Sequence, residues 1–249
     1  GLVGVASWYL SGLAMQPIYK SYRQLQQFTA DASHELRSPL TAIKTSIEVM
    51  LNHPERAHPQ DVKKIAFVVS AINQMNHLVE DLLFLARTDA TTAGAIQSRL
   101  PLPLDEVLQE IVEVLEPQIE AKNITFNCNL RSGITVIGNA SELTRLFSNL
   151  LENALQYTPK NGAVTLNMSS FDQAVVVSIA DTGIGIAPEH LPLVFNRFWR
   201  ADKARTYRNS GTGLGLAIAQ SIARSHGGEI TVSSQIGVGS CFRVHLPVV

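Results

Sequence analysis

The chain has 249 residues, 45% hydrophobic and 16% charged, with 20 Lys and Arg against 21 Asp and Glu and a formal net charge of −1. That length allows one or two domains with proper cores, and the near-zero charge excludes nucleic-acid binding by bulk electrostatics, leaving a local basic strip as its only route. Cys128 and Cys241 stand alone in apolar, strand-like stretches without C-x-x-C spacing, so both are expected to be buried structural residues.

Residues 1–19 contain no charge, include Trp8 and Tyr9, and are followed by Lys20 and Arg23. At about 1.5 Å per residue they approach the roughly 30 Å hydrocarbon core, so they read as a membrane-spanning helix or its remnant. The basic residues that follow place everything from about residue 20 onward in the cytoplasm. The glycines at 1, 4 and 12 and Pro17 leave an amphipathic packing helix as the alternative.

A helix is predicted next, because Leu36, Leu40, Ile43, Ile47 and Leu51 recur at three- and four-residue steps. His34 falls roughly 160° from that stripe, on the water-facing side, with Ser38 and Thr41 on its face. Glu35 follows it directly. The pair is either a nucleophile with a candidate base or a surface histidine with an acidic neighbour. Residues 52–59 carry two prolines among polar residues and must turn. Val62, Ile65, Val69, Ile72, Asn76, Val79, Leu83 and Ala86 then form a heptad stripe on a second helix. A lone hairpin leaves each stripe half covered, and pairing two hairpins into a four-helix bundle covers both. Asn76 in the seam fixes register or is tolerated at its edge.

The small polar run from Thr88 to Ala95 lacks periodicity, which divides the chain into a hairpin over 20–89 and a second domain over 90–249. In the latter, helices are expected over 104–120, 141–157 and 213–225, and strands over 124–130, 134–137, 164–168, 175–180, 229–233 and 240–246. Helices mixed with hairpin-connected strands imply an α/β sandwich, helices layered on a mostly antiparallel sheet, so the whole chain is α+β.

Asp181-Thr-Gly-Ile-Gly-Ile186 follows an apolar strand, and Gly211-Thr-Gly-Leu-Gly-Leu216 opens a helix. Such glycines let backbone approach a ligand and leave amides free at a helix start, where phosphate is favoured; each loop alone is equally an ordinary turn. Neither has the dinucleotide-fold spacing, and no Walker sequence occurs. Asn149 and Asn153 are four apart in a leucine-rich helix, where asparagine is unfavourable. Their amides share a face and suit magnesium, which keeps waters and takes phosphate ligands; capping or surface asparagines are the alternative.

With these motifs in hand, the chain from about Leu25 onward resembles the sensor histidine kinases of bacterial two-component signalling. Ser33-His-Glu-Leu-Arg-Ser-Pro39 resembles the family's H box, and the stretch from Asn149 to Pro159 its N box. The 181–186 and 211–216 loops resemble its two glycine boxes, and Phe195-Asn-Arg-Phe198 its F box. The resemblance implies a dimeric antiparallel helical hairpin, forming a four-helix bundle, followed by an ATP-binding α/β sandwich of the GHKL type. It implies ATP and Mg2+ as cofactors, a response-regulator receiver domain as partner, and a bacterial inner-membrane location through the N-terminal segment, with no nucleic acid. His34 would be the phosphoacceptor and Glu35 its base or orienting partner. Asn153, helped by Asn149, would hold magnesium, Asp181 would accept from the adenine amino group, and Tyr157 would line the base pocket. Gly183, Gly185, Gly211, Thr212, Gly213, Leu214 and Gly215 would shape the pocket and its lid, and Arg197 would reach the terminal phosphate.

Two positions depart from the family pattern. Gln156 stands where many relatives have a phosphate-contacting lysine, and Ser38 where a threonine is common, keeping the hydroxyl that assists dephosphorylation of the partner. The related gyrase- and chaperone-type ATPases place a water-activating glutamate where this chain has Asn149, so transfer to histidine is preferred to hydrolysis. A binding module that holds ATP without using it is the other rival. The further basic residues Arg200, Lys203, Arg205 and Arg208 read as a solvated face, and His226 as a helix C-terminal residue favoured by the dipole.

Pro39 cannot donate to the Glu35 carbonyl and crowds it, so the helix should bend one turn after His34. Pro39→Ala is expected to shift the ratio of kinase to phosphatase activity more than it shifts ATP affinity. Equal ratios in variant and parent contradict a signalling role for that bend.

Overall fold

The computed structural model describes residues 40, 41, 43–45, 47, 59–90, 99–171, 173–200 and 212–248, which fall into two compact units that divide between Ala93 and Gly94. His34, Glu35, Ser38, Pro39 and Gly211, and the apolar segment 1–19, lie outside the described residues.

In the first unit, α1 (Pro59–Ala90) buries Ile72, Val79 and Leu83 of the heptad stripe, with Leu85 beside them, so the described middle of that stripe faces inward as its spacing dictates. A second apolar line runs beside it on the outside. Val68, Met75 and Leu82 repeat every seven residues yet remain 41%, 49% and 36% exposed.

The second unit is a two-layer sandwich. Its elements are β1 (Leu100–Pro103), α2 (Leu104–Ala121), β2 (Thr125–Asn129), β3 (Thr135–Gly138), α3 (Ala140–Tyr157), β4 (Ala163–Phe171), β5 (Ala174–Asp181), a 3-10 segment (Pro188–Leu193), α4 (Gly215–Ser225), β6 (Glu229–Gln235) and β7 (Gly239–Pro247). The five-stranded sheet has the order β2-β4-β5-β7-β6, antiparallel except for the parallel β2–β4 pair. Alternation sets its two faces. Val164, Leu166, Val175, Val177, Ile179, Val244 and Leu246 point into the core, against the buried stripes Leu108-Ile111-Leu115 of α2, Leu146-Phe147-Leu150-Leu151 of α3 and Ile218-Ile222 of α4. The other face is polar, where Asn129 bonds Asn167 at 2.8 Å and Arg243 bonds Ser233 at 3.2 Å.

Several expectations need correction. Cys128 is exposed, because β2 is an edge strand and its odd positions and Cys128 meet no covering layer; Cys241 is half-buried. The strand β1 was not foreseen, since Leu100-Pro-Leu-Pro103 carries two prolines that argue against a ladder; it pairs only with β3, in a separate two-stranded sheet. The last helix begins at Gly215 rather than 213, because Gly213 has φ +74° and cannot join a right-handed helix.

His226 is at the helix C-terminus as expected, but not as a solvent-facing cation on the dipole. It caps α4 but is buried, its Nδ1 lying 2.8 Å from the Ile222 carbonyl while its Nε2 accepts the Asn139 amide at 3.2 Å. That donor–acceptor pattern belongs to the neutral imidazole. It ties α4 to the start of α3, where Asn139 accepts the Glu142 amide as N-cap. Burial lowers the His226 pKa below its ordinary value, reinforced by Arg99 and opposed by the Ile222 carbonyl and by Glu142, whose carboxylate is 3.8 Å away. A base whose folded pKa is depressed contributes fully above its unfolded value, about 6.5, and loses that contribution as pH falls below it. His226→Leu is therefore expected to lower stability by about 1–2 kcal/mol at pH 7.5 and to flatten the loss of stability between pH 7 and pH 5.5, as read by denaturant titration. An unchanged pH slope refutes the assignment.

Candidate functional site

The motif residues of the second unit meet at one end of the sandwich. α3 brings Asn149, Asn153 and Tyr157 along one side, all half-buried, while its apolar stripe holds the helix to the core. Asn149 has an enclosed Nδ2 with no hydrogen-bond partner, an uncommon state for a buried amide. The first residue of α4 lies against it: a Cβ on Gly215 would come within 3.2 Å of the Asn149 Oδ1. Two neutral amide oxygens on successive turns beside a helix N-terminus are hard donors that could hold magnesium together with phosphate, so the residues present fit that ion.

Asp181 ends β5 and turns its carboxylate back on the loop. Its Oδ1 accepts from the Gly183 amide at 2.8 Å and the Ser240 amide at 3.3 Å, which leaves Oδ2 to accept from a ligand. Burial raises the Asp181 pKa, and those two amides pull it part of the way back. The ion is thus half desolvated but fixed in direction. Burial likewise raises the Tyr157 pKa, opposed by the positive charge of Arg200.

The loop after Asp181 is braced from two sides. The Ile184 amide donates to the Tyr157 carbonyl at 3.3 Å, and the Ile184 carbonyl accepts the Gly237 amide at 2.9 Å. Gly185 has φ +69°, and a side chain there would run into the Gln235 carbonyl. Ile186 donates to the Ser234 hydroxyl at 2.8 Å, and Ser234 in turn donates to the Gly239 carbonyl at 2.8 Å and lies 2.9 Å from the Ser240 hydroxyl. Ser234, Gly239 and Ser240 were missed from sequence. The glycines at 237 and 239 just before a strand are the local signal that could have found them.

On the far side, Phe195 packs edge-on against Phe242, with ring centroids 6.4 Å apart, and the Phe198 amide donates to the Gly213 carbonyl at 2.9 Å. Phe198 has φ +61°, a strained conformation for an aromatic residue, and its partner Gly213 takes φ +74° freely, so the strain in this joint sits on the F-box side. The Thr212 hydroxyl accepts the Leu214 amide at 3.2 Å, and Leu214 is fully buried. Arg197 is exposed between the two phenylalanines. The structure thus brings together Asn149, Asn153, Tyr157, Asp181, Gly183, Gly185, Thr212, Gly213, Leu214 and Gly215.

Comparison with known proteins adds two family matches. Residues 138–249 match the histidine kinase-, DNA gyrase B- and HSP90-like ATPase family, and residues 24–91 the His Kinase A phospho-acceptor domain. The chain is 43% identical over 249 residues to the sensor histidine kinase RppB of Synechocystis, covering 100% of this chain and 54% of that protein. It is 32% identical over 228 residues to the phosphate regulon sensor protein PhoR of Pseudomonas aeruginosa, covering 92% and 51%. The chain therefore spans about half the length of these relatives. Among solved structures it resembles full-length ShkA in complex with AMPPNP, with TM-score 0.76, 27% identity and coverage of 89% of this chain and 46% of that one. It also resembles the mycobacterial sensor histidine kinase MprB, with TM-score 0.54, 29% identity and coverage of 61% and 98%.

Proposed function

The chain belongs to the sensor histidine kinases of two-component signalling, and on that premise we propose that it transfers the terminal phosphoryl group of Mg-ATP to His34 and then to an aspartate of a response-regulator receiver domain. The observation that carries this reading is the Asp181 carboxylate, held by two backbone amides on one oxygen and open on the other, which suits the exocyclic amino group of adenine. Tyr157 lines the base pocket beside it. Residues 20–89 form the phosphoacceptor hairpin and 90–249 the catalytic domain.

Phosphoryl transfer asks for positioning and charge neutralisation, because its transition state carries charge on peripheral oxygens. Asn153 and Asn149 would hold magnesium, which would supply much of that neutralisation. Arg197 adds a guanidinium at the terminal phosphate, while Gly211, Gly213 and Gly215 keep side chains out of the phosphate path, Thr212 and Leu214 anchor that loop, and Gly183 and Gly185 shape the base end. An imidazole with an ordinary pKa of about 6.5 is largely neutral in the cell. His34 can then attack: an N–P bond forms, the bond from the terminal phosphorus to the bridging oxygen breaks, ADP leaves, and Glu35 takes the ring proton. Ser38 supplies a hydroxyl for the reverse task of dephosphorylating the regulator.

The exposed line Val68, Met75 and Leu82 supports a homodimer, since a seven-residue apolar repeat left outside one hairpin is what a second hairpin covers. Residues 1–19 would anchor the protein in the bacterial inner membrane, with the remainder cytoplasmic; among the described residues no helix is long and apolar enough to cross a membrane. Incubation with γ-labelled ATP and magnesium separates the readings. Acid-labile label on the protein supports the kinase, released phosphate alone indicates a hydrolase, and neither product indicates a binding module.

A further inference from the structure

Lys122 follows the last residue of α2 and belongs to none of the recognised motifs. Its Nζ reaches across to the end of α3, donating to the carbonyls of Leu155 at 2.6 Å, Gln156 at 3.0 Å and Thr158 at 3.3 Å. An ammonium has three donors, and all three are used. The last turn of any helix leaves carbonyls without intrahelical partners and carries the negative end of the dipole. α3 has no basic residue in its own last turn, so Lys122 supplies from another element the charge that the helix lacks.

The remaining carbonyls of that turn are satisfied differently. Ala154 accepts both the amide and the hydroxyl of Thr158, at 3.1 and 2.6 Å. Tyr157 accepts the Ile184 amide, which lies between Gly183 and Gly185 in the loop that Asp181 opens. Lys122 is also tied through its backbone, its carbonyl accepting the Asn161 amide at 3.1 Å where the chain turns at φ +64°. Tyr157, and through its carbonyl one of the braces on the Asp181 loop, thus hang on a turn that Lys122 closes, while Ser240, Ser234 and Gly237 brace the rest of that loop from the sheet side. Asn149 lies about two turns upstream, against Gly215, and Asn153 sits one turn before the helix end, where its own carbonyl belongs to the intrahelical ladder rather than to the carbonyls that Lys122 bonds.

The geometry points to Lys122 as a positioning residue for nucleotide binding: it fixes the helix end that carries Tyr157 and, through the Tyr157 carbonyl, the glycine loop around the adenine, and leaves the magnesium end alone. This inference rests on the nucleotide reading above. It separates from a general structural role, which would loosen base and phosphate ends alike.

The test is equilibrium binding of adenosine, Mg-ADP and Mg-ATP to the full chain and to Lys122→Gln and Lys122→Arg. Lys122→Gln is expected to weaken all three ligands by a similar factor of about ten. The gain in ATP affinity on adding magnesium should stay unchanged, the labelling rate at saturating ATP should stay within about twofold, and Lys122→Arg should recover most of the loss. Hydrogen exchange on the unsubstituted chain provides a second reading that does not depend on the variant folding: adenosine should slow the Thr158 and Ile184 amides together. Parent-like affinity in Lys122→Gln, loss of the magnesium gain, no recovery with arginine, or unchanged exchange at those two amides overturns the inference. Failure of the parent chain to bind any of the three ligands overturns the nucleotide reading itself.

Discussion

Replacing His34 with glutamine is expected to abolish acid-labile labelling from γ-labelled Mg-ATP, a loss of at least about a thousandfold, while nucleotide affinity stays within about twofold of the parent. Glutamine keeps polarity and approximate length but has no lone pair nucleophilic enough to displace ADP. The proposed nucleotide site lies within the second unit, on α3, the Asp181 loop and the start of α4, so removing the imidazole should leave it intact. Equilibrium binding beside a labelling time course gives the answer. Label that persists at the parent rate shows that another side chain is the acceptor, and joint loss of binding and labelling shows that the substitution did more than remove a nucleophile.

Asp181→Asn is the second large effect. The Oδ1 of Asp181 is fixed as an acceptor by two amides, so an asparagine must place its own oxygen there and turn its NH2 outward. The outward group then confronts the adenine amino group, donor against donor. The lost bond to a charged acceptor together with the new mismatch is worth about 3 kcal/mol, or roughly a hundredfold in affinity. Stability should move the other way. Burial raises the folded pKa of Asp181, so its ionised form is a cost to the folded state at neutral pH, and a neutral amide removes that cost. The nucleotide-free variant is expected to melt no lower than the parent, while the thermal shift on adding Mg-ATP disappears. A variant that melts lower and still gains stability from Mg-ATP contradicts both halves of the argument.

The two expectations draw on features that differ in how far sequence alone reveals them. Asp181-Thr-Gly-Ile-Gly-Ile186 was legible because its chemistry is local: a strand end, an acid and two glycines define the loop before any tertiary contact forms. The helices expected over 104–120 and 141–157 were equally plain, because each carries an apolar stripe that the structure buries. What could not be read depends on partners far along the chain. Ser240 meets Asp181 across 59 positions, and Lys122 meets Leu155 across 33. Neither contact leaves a periodic trace, because each depends on how the sheet and helices pack. The strand β1 was hidden for a different reason, since two prolines in four residues mimic a loop and only its pairing with β3 shows otherwise. Cys128 misled because an apolar setting in sequence does not distinguish an edge strand from a central one.

The buried Nδ2 of Asn149 and the joined backbones of Phe198 and Gly213 both mark places where the fold departs from its own best local chemistry. Such departures gather where a ligand completes the structure. Unpartnered buried oxygens occur at Asn76 and Asp105 as well, but here an orphan amide and the strained Phe198 backbone lie on the elements that carry the N, F and second glycine boxes, an arrangement that a triphosphate and its cation would complete.

Mapping the phosphorylated residue is the most direct measurement of the central claim. After incubation with Mg-ATP, peptides kept at alkaline pH to preserve a nitrogen–phosphorus bond should carry the phosphoryl group on the His34 imidazole, and a receiver domain added before digestion should remove it. Bound nucleotide with phosphate released to water, or a phosphoryl group on any other side chain, contradicts it.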